Sequence, residues 1–121
     1  SSEILPLAEG AHLVGIDEAQ FFDHGIVDVC IDLANNGHRV VVSGLDMDFE
    51  GKPFGPMPNL LCVAEFVTKL HAICPRTGDL ASFSFRLIDT SDKVLVGEKD
   101  LYEPRSRRAF VEGMKARAKK K

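Results

Sequence analysis

The fold is decided by a short stretch of sequence, HLVGIDE at residues 12–18. It is an apolar run that ends in two acids, a pattern typical of a buried strand of a parallel sheet with polar residues at its carboxyl end. A second apolar run, VVVSGL at residues 40–45, ends at Asp46. Together the two runs predict neighbouring strands of an α/β sheet.

An amphipathic helix is predicted between these strands. Asp23 is placed to cap its first turn, and NNG at residues 35–37 is a strong stop signal. The apolar residues that recur at helical spacing are Ile26, Cys30, Leu33 and Ala34. Strand, helix and strand within about 30 residues make a βαβ unit, whose crossover is expected to be right-handed.

Four acids follow the ends of the two strands: Asp17, Glu18, Asp46 and Asp48. Ligands of such sheets bind beyond the carboxyl ends of the strands, so these acids lie where chemistry is expected. Phosphoryl-transfer ATPases use an Asp that orients Mg²⁺ and a neighbouring Glu that can accept a proton. The alternative stays open that the acids are ordinary polar residues of loops.

The sequence pattern changes near residue 74, from the signals of an α/β core to those of a β-rich lobe. Gly and Pro are frequent in residues 50–58, which predicts a loop, and a helix is predicted over 58–66. A third strand is expected within 67–74. The alternating SFSFR at residues 82–86 then indicates a small β-rich lobe. We therefore expect three segments: 1–74, part of the α/β core; 75–104, the β-rich lobe; and 105–121, a basic C-terminal helix or tail.

Composition places the chain among ordinary globular proteins, with 45% hydrophobic and 27% charged residues. No apolar run approaches the ~20 residues of a membrane span, and no leader-like stretch is visible, so neither a membrane segment nor secretion is expected. Three irregularly spaced cysteines favour a reducing cytoplasm over a disulfide framework.

The basic residues are concentrated at the end of the chain. Residues 105–121 hold eight of the 15 Lys and Arg and a single acid, Glu112. Such a tail can contact nucleic acid. We favour a solvated C-terminal helix, because the tail has only one aromatic residue, Phe110, and so lacks a stacking platform for bases. No nucleic-acid partner is expected.

A phosphate-binding loop is missing from these residues. The pattern Gly-x-x-x-x-Gly-Lys-Ser/Thr, which cradles nucleotide phosphates, does not occur in the sequence. Either the protein is not a nucleoside-triphosphate enzyme, or the first strand and its loop lie upstream of Ser1. The residues alone do not decide between the two.

Several motifs in order resemble the type II, cytosolic-type thymidine kinase family. They are IDEAQFF at 16–22, GLDMDF at 44–49, KPFG at 52–55, AEFVTKL at 64–70, Val96-Gly97 and Tyr102-Glu103. The resemblance runs from about residue 12 to about residue 108 of this sequence. It implies a P-loop (RecA-like) parallel-sheet core, incomplete at its N-terminal side, with a small β-rich lasso lobe of zinc-ribbon type. We accordingly expect the natural protein to extend upstream, since this chain alone lacks the loop that holds ATP phosphates.

The resemblance also implies an activity, the transfer of the ATP γ-phosphate to the 5′-hydroxyl of thymidine. Glu18 would be the general base that takes the hydroxyl proton. Asp17 would hold the water shell of Mg²⁺, and Gln20 would shape the ATP site. The co-substrate is ATP with Mg²⁺.

Further positions match the family's nucleoside site. The matching apolar walls and lasso residues are Phe21, Leu45, Phe49, Phe54, Lys93, Val94, Leu95, Val96, Gly97 and Tyr102. For Leu45, plain core packing is an equally good explanation. Ser84 stands where the thymine-methyl pocket often carries Thr. The smaller side chain is expected to relax discrimination against deoxyuridine, since one methyl group contributes only ~1–3 kcal/mol in such pockets.

The chain departs from the family at the zinc site. Most members carry four zinc cysteines in the lobe, but the matching positions here are Cys74, Thr77, Ser106 and Ala109. Structural zinc needs four ligands, so no zinc is expected. We predict that packing of Leu80, Phe83 and Phe85 replaces it.

The resemblance implies, finally, a cytoplasmic homotetramer of pyrimidine deoxynucleotide salvage that is inhibited by dTTP. Two alternatives remain. One is another P-loop ATPase, such as a helicase-like enzyme, and the other is a nucleoside-binding fragment without activity. Helicase motifs are not visible in the sequence, which disfavours the first, and nucleoside binding without ATP turnover would indicate the second.

Overall fold

The computed structural model describes residues 1–87 and 101–119 of the chain. Its helices and strands, in chain order, are α1 (Ile4–Leu7), β1 (Leu13–Ile16), α2 (Ile26–Asn35), β2 (Arg39–Val42), α3 (Met57–Val63), β3 (Ala72–Ile73), β4 (Leu80–Ala81), β5 (Phe83–Arg86), β6 (Tyr102–Arg105) and α4 (Arg107–Lys119). One strand pair is parallel and two are antiparallel, so the mixed α/β class is confirmed. The chain divides into two compact units, Ser1–Asp46 with Pro53–Val67, and Met47–Lys52 with Thr68–Lys121.

The first unit contains the predicted βαβ unit. Strands β1 and β2 pair in parallel, with Leu13 opposite Arg39 and Ile16 opposite Val42. The connecting helix α2 ends at Asn35, and Gly37 follows with a φ of 89°. Such a left-handed residue stops a helix at little cost when it is glycine, so the sequence signal at 35–37 is confirmed.

The core of this unit is formed by α2, α3 and one face of the strand pair. Ile26, Leu33 and Leu60 are among its buried residues. Helix α2 buries three of the four predicted positions and Val29 in addition, whereas the fourth, Ala34, is exposed. The helix therefore presents a slightly rotated face to the core.

Two expectations for the first unit are wrong. The strands were expected to be buried on both faces, but Leu13 is 55% and Val41 49% exposed, so within the described residues only one face is covered. Helix α3 ends at Val63 rather than at residue 66, because Ala64 already has extended backbone with a ψ of 137°. The strand expected within 67–74 is a short one, Ala72–Ile73, and it pairs antiparallel with β4 in the second unit.

The second unit is built around three phenylalanines. The ring of Phe110 in α4 stacks on that of Phe83 with centroids 4.5 Å apart, and it meets Phe85 edge-on at 6.3 Å. All three side chains are buried. Leu80 is 62% exposed, so the prediction that it forms part of this core is wrong. In β5, Phe83 and Phe85 lie on the buried face of the strand. The third phenylalanine, Phe110, belongs to α4.

A buried ion pair accompanies this aromatic cluster. The Glu103 carboxylate accepts hydrogen bonds from Arg105 Nε at 3.0 Å and from Arg76 Nε at 3.2 Å. The guanidinium of Arg105 is almost fully buried and lies 3.6 Å from the centroid of the Phe85 ring.

Within residues 1–87 and 101–119, no helix is long and apolar enough to cross a bilayer.

Candidate functional site

The candidate site begins where β1 ends, at Asp17 and Glu18. Glu18 has a φ of 53°, and it is the one residue other than glycine in the described ranges with a positive φ. Left-handed backbone is uncommon for such a residue and tends to occur at functional sites. A single 3₁₀ turn, Ala19–Phe21, follows at once, and Ala19 N–H donates to Ser43 O at 3.0 Å. That bond ties the turn to the end of β2.

The Asp17 carboxylate is held by two hydrogen bonds to its Oδ1 atom. The Ser43 hydroxyl donates at 2.6 Å and the Glu18 backbone N–H at 2.8 Å. The hydroxyl of Ser43, followed by the N–H of Glu18, lowers the pKa of Asp17 below its ordinary value. Hydrogen bonds to a charged carboxylate favour the ionised form, so Asp17 is an anion at neutral pH. Its Oδ2 atom lies outside both bonds.

The Glu18 carboxylate is exposed and is contacted by a buried amide. Gln20 Nε2 donates to Glu18 Oε2 at 2.5 Å, and Gln20 Oε1 accepts the Leu45 N–H at 3.0 Å. Gln20 itself is 3% exposed. The structure thus brings together three residues that the sequence singled out, Glu18, Gln20 and Leu45.

Exposed apolar side chains belong to the same unit. Phe21 is 72% exposed and meets Phe54 edge-on, with ring centroids 5.6 Å apart. Leu45 is 50% exposed, so it is not part of the core described for this unit. Aromatic and aliphatic surface beside anionic groups is typical of sites for small organic ligands.

The other site positions named from the sequence belong to the second unit. Phe49 lies under the Arg86 guanidinium, 5.1 Å from its ring centroid. Ser84 is half-buried in β5, and Tyr102 is 39% exposed in β6. Asp48 accepts hydrogen bonds from the N–H groups of its own turn, such as that of Glu50 at 2.9 Å. Residues 93–97, predicted to form the lasso, lie outside the described residues.

The four zinc positions of the resemblance lie close together. The hydroxyls of Thr77 and Ser106 are 3.0 Å apart, and Cys74 and Ala109 share a small buried cluster. Burial opposes ionisation of the Cys74 thiol, but hydrogen bonds from the Thr77 side chain and from the backbone of Ser106, Arg76 and Thr77 lower its pKa to about 6. One thiol and two hydroxyls do not fit structural zinc. Among the residues described, no cluster of three or more His, Cys, Asp or Glu is present.

Sequence reasoning missed Ser43, the hydroxyl partner of Asp17. Its position offered a signal, because Ser43 directly follows β2 just as Asp17 follows β1, and the carboxyl ends of parallel neighbours lie side by side. The double role of Gln20 had no such signal. It depends on the left-handed backbone of Glu18, which turns the chain back toward Leu45.

The fold and the site define a class: an α/β protein with a parallel βαβ unit that carries a hydrogen-bonded carboxylate pair beyond its strand ends. The family model of thymidine kinase matches residues 2–110. The chain therefore belongs to the thymidine kinase family.

The relatives of known name agree with this assignment. A thymidine kinase of Bacteroides thetaiotaomicron is 55% identical over 111 residues, which are 92% of this chain and 56% of that protein. A thymidine kinase of a Rhodothermus species is 56% identical over 110 residues, 91% of this chain and 52% of the relative. One of Porphyromonas gingivalis is 51% identical over 91% of this chain and 54% of the relative. The chain spans about half the length of these relatives.

Proposed function

We propose that this protein is a thymidine kinase that transfers the ATP γ-phosphate to the 5′-hydroxyl of thymidine. The observation that carries the proposal is the Glu18 carboxylate, which is exposed, fixed by Gln20 and belongs to the same unit as the exposed ring of Phe21. A carboxylate placed in this way can accept a hydroxyl proton, which is the step that the reaction requires of a general base. Family membership supports this assignment.

MgATP is the second substrate in this proposal. Proteins usually hold Mg²⁺ of a nucleotide through one or two carboxylates plus the phosphates, while the ion keeps several waters. Asp17 suits this role because it is anionic and exposed, and because both of its hydrogen bonds use Oδ1. The chemistry that Mg²⁺ supplies is neutralisation of charge on the transferred phosphoryl group.

Apolar side chains of the first unit are proposed to contact the nucleoside. Phe21, Leu45 and Phe54 offer exposed or half-exposed surface there. By the resemblance to the family, Phe49, Ser84, Tyr102 and residues 93–97 are proposed as further nucleoside-binding residues. Ser84 lacks the methyl group that Thr would place in the thymine-methyl pocket. Because that contact is lost, discrimination between thymidine and deoxyuridine is weakened.

The wider setting of the enzyme follows from the family. We propose a P-loop core with a lasso lobe that needs no zinc, a cytoplasmic location, a role in pyrimidine deoxynucleotide salvage, a homotetramer and inhibition by dTTP. The three free cysteines are consistent with a reducing compartment. No contact with nucleic acid is proposed, since the one aromatic residue of the basic helix, Phe110, is buried.

The experiment is transfer of ³²P from γ-labelled ATP by the full-length protein, with thymidine, with deoxyuridine and without nucleoside. We expect labelled thymidine monophosphate and, at a comparable rate, labelled deoxyuridine monophosphate. Hydrolysis of ATP that does not depend on nucleoside would indicate another kind of ATPase. Binding of thymidine without transfer would indicate a nucleoside-binding protein. A strict preference for thymidine would contradict only the role given to Ser84.

A further inference from the structure

Gln20 is a buried amide whose two ends are both used. A buried side-chain amide needs hydrogen bonds at its nitrogen and at its oxygen. Here Nε2 donates to Glu18 Oε2 at 2.5 Å, and Oε1 accepts from the Leu45 backbone N–H at 3.0 Å. The orientation of the amide is fixed by its partners, because a carboxylate can only accept and a backbone N–H can only donate. A rotated amide would set oxygen against oxygen and N–H against N–H.

Two glycines show how tightly the neighbouring loops meet Gln20. A Cβ added to Gly44 would lie 2.8 Å from Gln20 Oε1, and one added to Gly55 would lie 2.5 Å from the Gln20 carbonyl oxygen. Gly44 precedes Leu45 and Gly55 follows Phe54 in the chain. The loops that carry Leu45 and Phe54 therefore approach Gln20 so closely that a residue with a Cβ would not fit at Gly44 or Gly55 without a shift.

We propose that Gln20 is a positioning residue rather than a ligand of ATP. It holds the proposed general base, Glu18, and the proposed nucleoside-contacting residue Leu45 in fixed positions. Its Nε2 end fixes the direction of the Glu18 carboxylate, and its Oε1 end fixes the backbone of Leu45. The inference rests on the proposed function, since it concerns how that site is held. The Nε2 end of the side chain should therefore affect turnover, and the Oε1 end should affect nucleoside binding.

Two substitutions separate the ends. Gln20→Glu keeps the size and the acceptor for Leu45 N–H but sets a second carboxyl group against the Glu18 carboxylate, so that one of the two takes up a proton. We expect kcat to fall roughly tenfold to a hundredfold, because that proton occupies the base, with KM for thymidine within about twofold. Gln20→Met removes both bonds at similar size. It should lower kcat to a similar extent and also raise KM for thymidine several-fold.

A double-mutant cycle tests whether Gln20 acts through Glu18. The kinetic constants of the full-length protein are measured for Glu18→Gln, Gln20→Glu and the double variant. If Gln20 works by orienting the carboxylate, Gln20→Glu should change kcat by less than about twofold once Glu18 is Gln. If the fold losses of kcat in the two single variants multiply in the double variant, the proposal is overturned. A Gln20→Glu enzyme that keeps full kcat would also overturn it. A selective rise of KM for ATP would show that Gln20 binds the nucleotide.

Substitution of a buried residue can unfold the chain, so a second variant leaves Gln20 in place. A Cβ at Gly44 would lie 2.8 Å from Gln20 Oε1 and 2.9 Å from Met57 Sδ, so Gly44→Ala displaces the amide together with the flexible end of Met57. We expect a several-fold loss of kcat in a protein that stays folded by circular dichroism. Gly15→Ala is the matched control, because no atom lies within 4 Å of its added Cβ. Unchanged kcat in a folded Gly44→Ala chain would overturn the proposal. Full activity of Glu18→Gln would instead remove the proposed role of Glu18, whatever Gln20 does, whereas failure of the unsubstituted full-length protein to phosphorylate thymidine would contradict the proposed function.

Discussion

Replacement of Phe110 by Ala tests whether aromatic packing holds the second unit together. The ring is 7% exposed, stacked on Phe83 at 4.5 Å and edge-on to Phe85 at 6.3 Å. Truncation of a buried Phe costs about 3–5 kcal/mol, and each aromatic pair contributes ~0.5–1.5 kcal/mol of that loss. Because Phe110 takes part in two pairs and is nearly fully buried, we expect a loss of about 4 kcal/mol in the free energy of unfolding.

The assay is urea denaturation followed by tyrosine fluorescence. The sequence contains one tyrosine, Tyr102, and no tryptophan, and Tyr102 lies in β6 of the same unit. With a slope of ~1–3 kcal/mol per molar urea, the midpoint should fall by about 2 M. Val111→Ala is the control, since this residue lies on the same helix and is 38% exposed, and surface changes usually stay within about 0.5 kcal/mol. A loss below about 1 kcal/mol for Phe110→Ala would refute the reasoning.

Three further predictions concern the charged and polar groups. Ser43→Ala should raise the pKa of Asp17 toward its ordinary value, because the hydroxyl stabilises the carboxylate, so the acid limb of the kcat/KM profile should move to higher pH. Glu103→Gln should reduce the free energy of unfolding by about 2–3 kcal/mol in urea titrations, since it leaves the Arg105 guanidinium buried and unpaired. Cys74 has a pKa of about 6 in the folded chain against 9.0 for a free thiol. Its contribution to stability is therefore complete above pH ~9 and is lost as pH falls through ~6, a slope that Cys74→Ala should abolish in thermal unfolding.

Each of these predictions has its own control. An unchanged acid limb in Ser43→Ala would mean that Asp17 does not govern that limb. Glu50→Gln, at an exposed carboxylate, should leave stability within about 0.5 kcal/mol, and a similar result for Glu103→Gln would make the ion pair dispensable. For Cys74, thermal unfolding is repeated with a chelator. A fall in Tm on chelation would show a bound metal and contradict a lobe held by packing and hydrogen bonds.

The βαβ unit was predictable because its signals are local. Apolar runs of strand length, helical spacing from Ile26 to Leu33 and the stop at Gly37 each depend on residues close in sequence. The placement of Asp17 and Glu18 beyond a strand end followed from the topology alone. What periodicity did not decide is how many faces of the strands are covered, as the exposure of Leu13 and Val41 illustrates.

The missed features depend on residues distant in sequence or on unusual backbone. Phe110 lies 27 positions from Phe83, and within a basic helix it gave no sign that it completes a core in place of Leu80. The contact of Gln20 with Leu45 requires the left-handed conformation of Glu18, which no propensity indicates for glutamate. The sequence therefore predicted that Asp17 and Glu18 lie beyond a strand end, whereas the hydrogen bonds of Gln20 and the packing of Phe110 depend on the folded backbone.

The most direct test of the central claim is thymidine phosphorylation by the full-length protein with Glu18 and with Glu18→Gln. The substitution keeps the size of the side chain and removes its capacity to accept a proton, while Asp17 remains. We predict a fall in kcat of about a hundredfold or more, with thymidine affinity little changed, because general bases contribute roughly 10²–10⁴ in rate. Equal turnover by the two proteins would contradict the account, since Glu18 would then be a structural residue of the turn and not the general base.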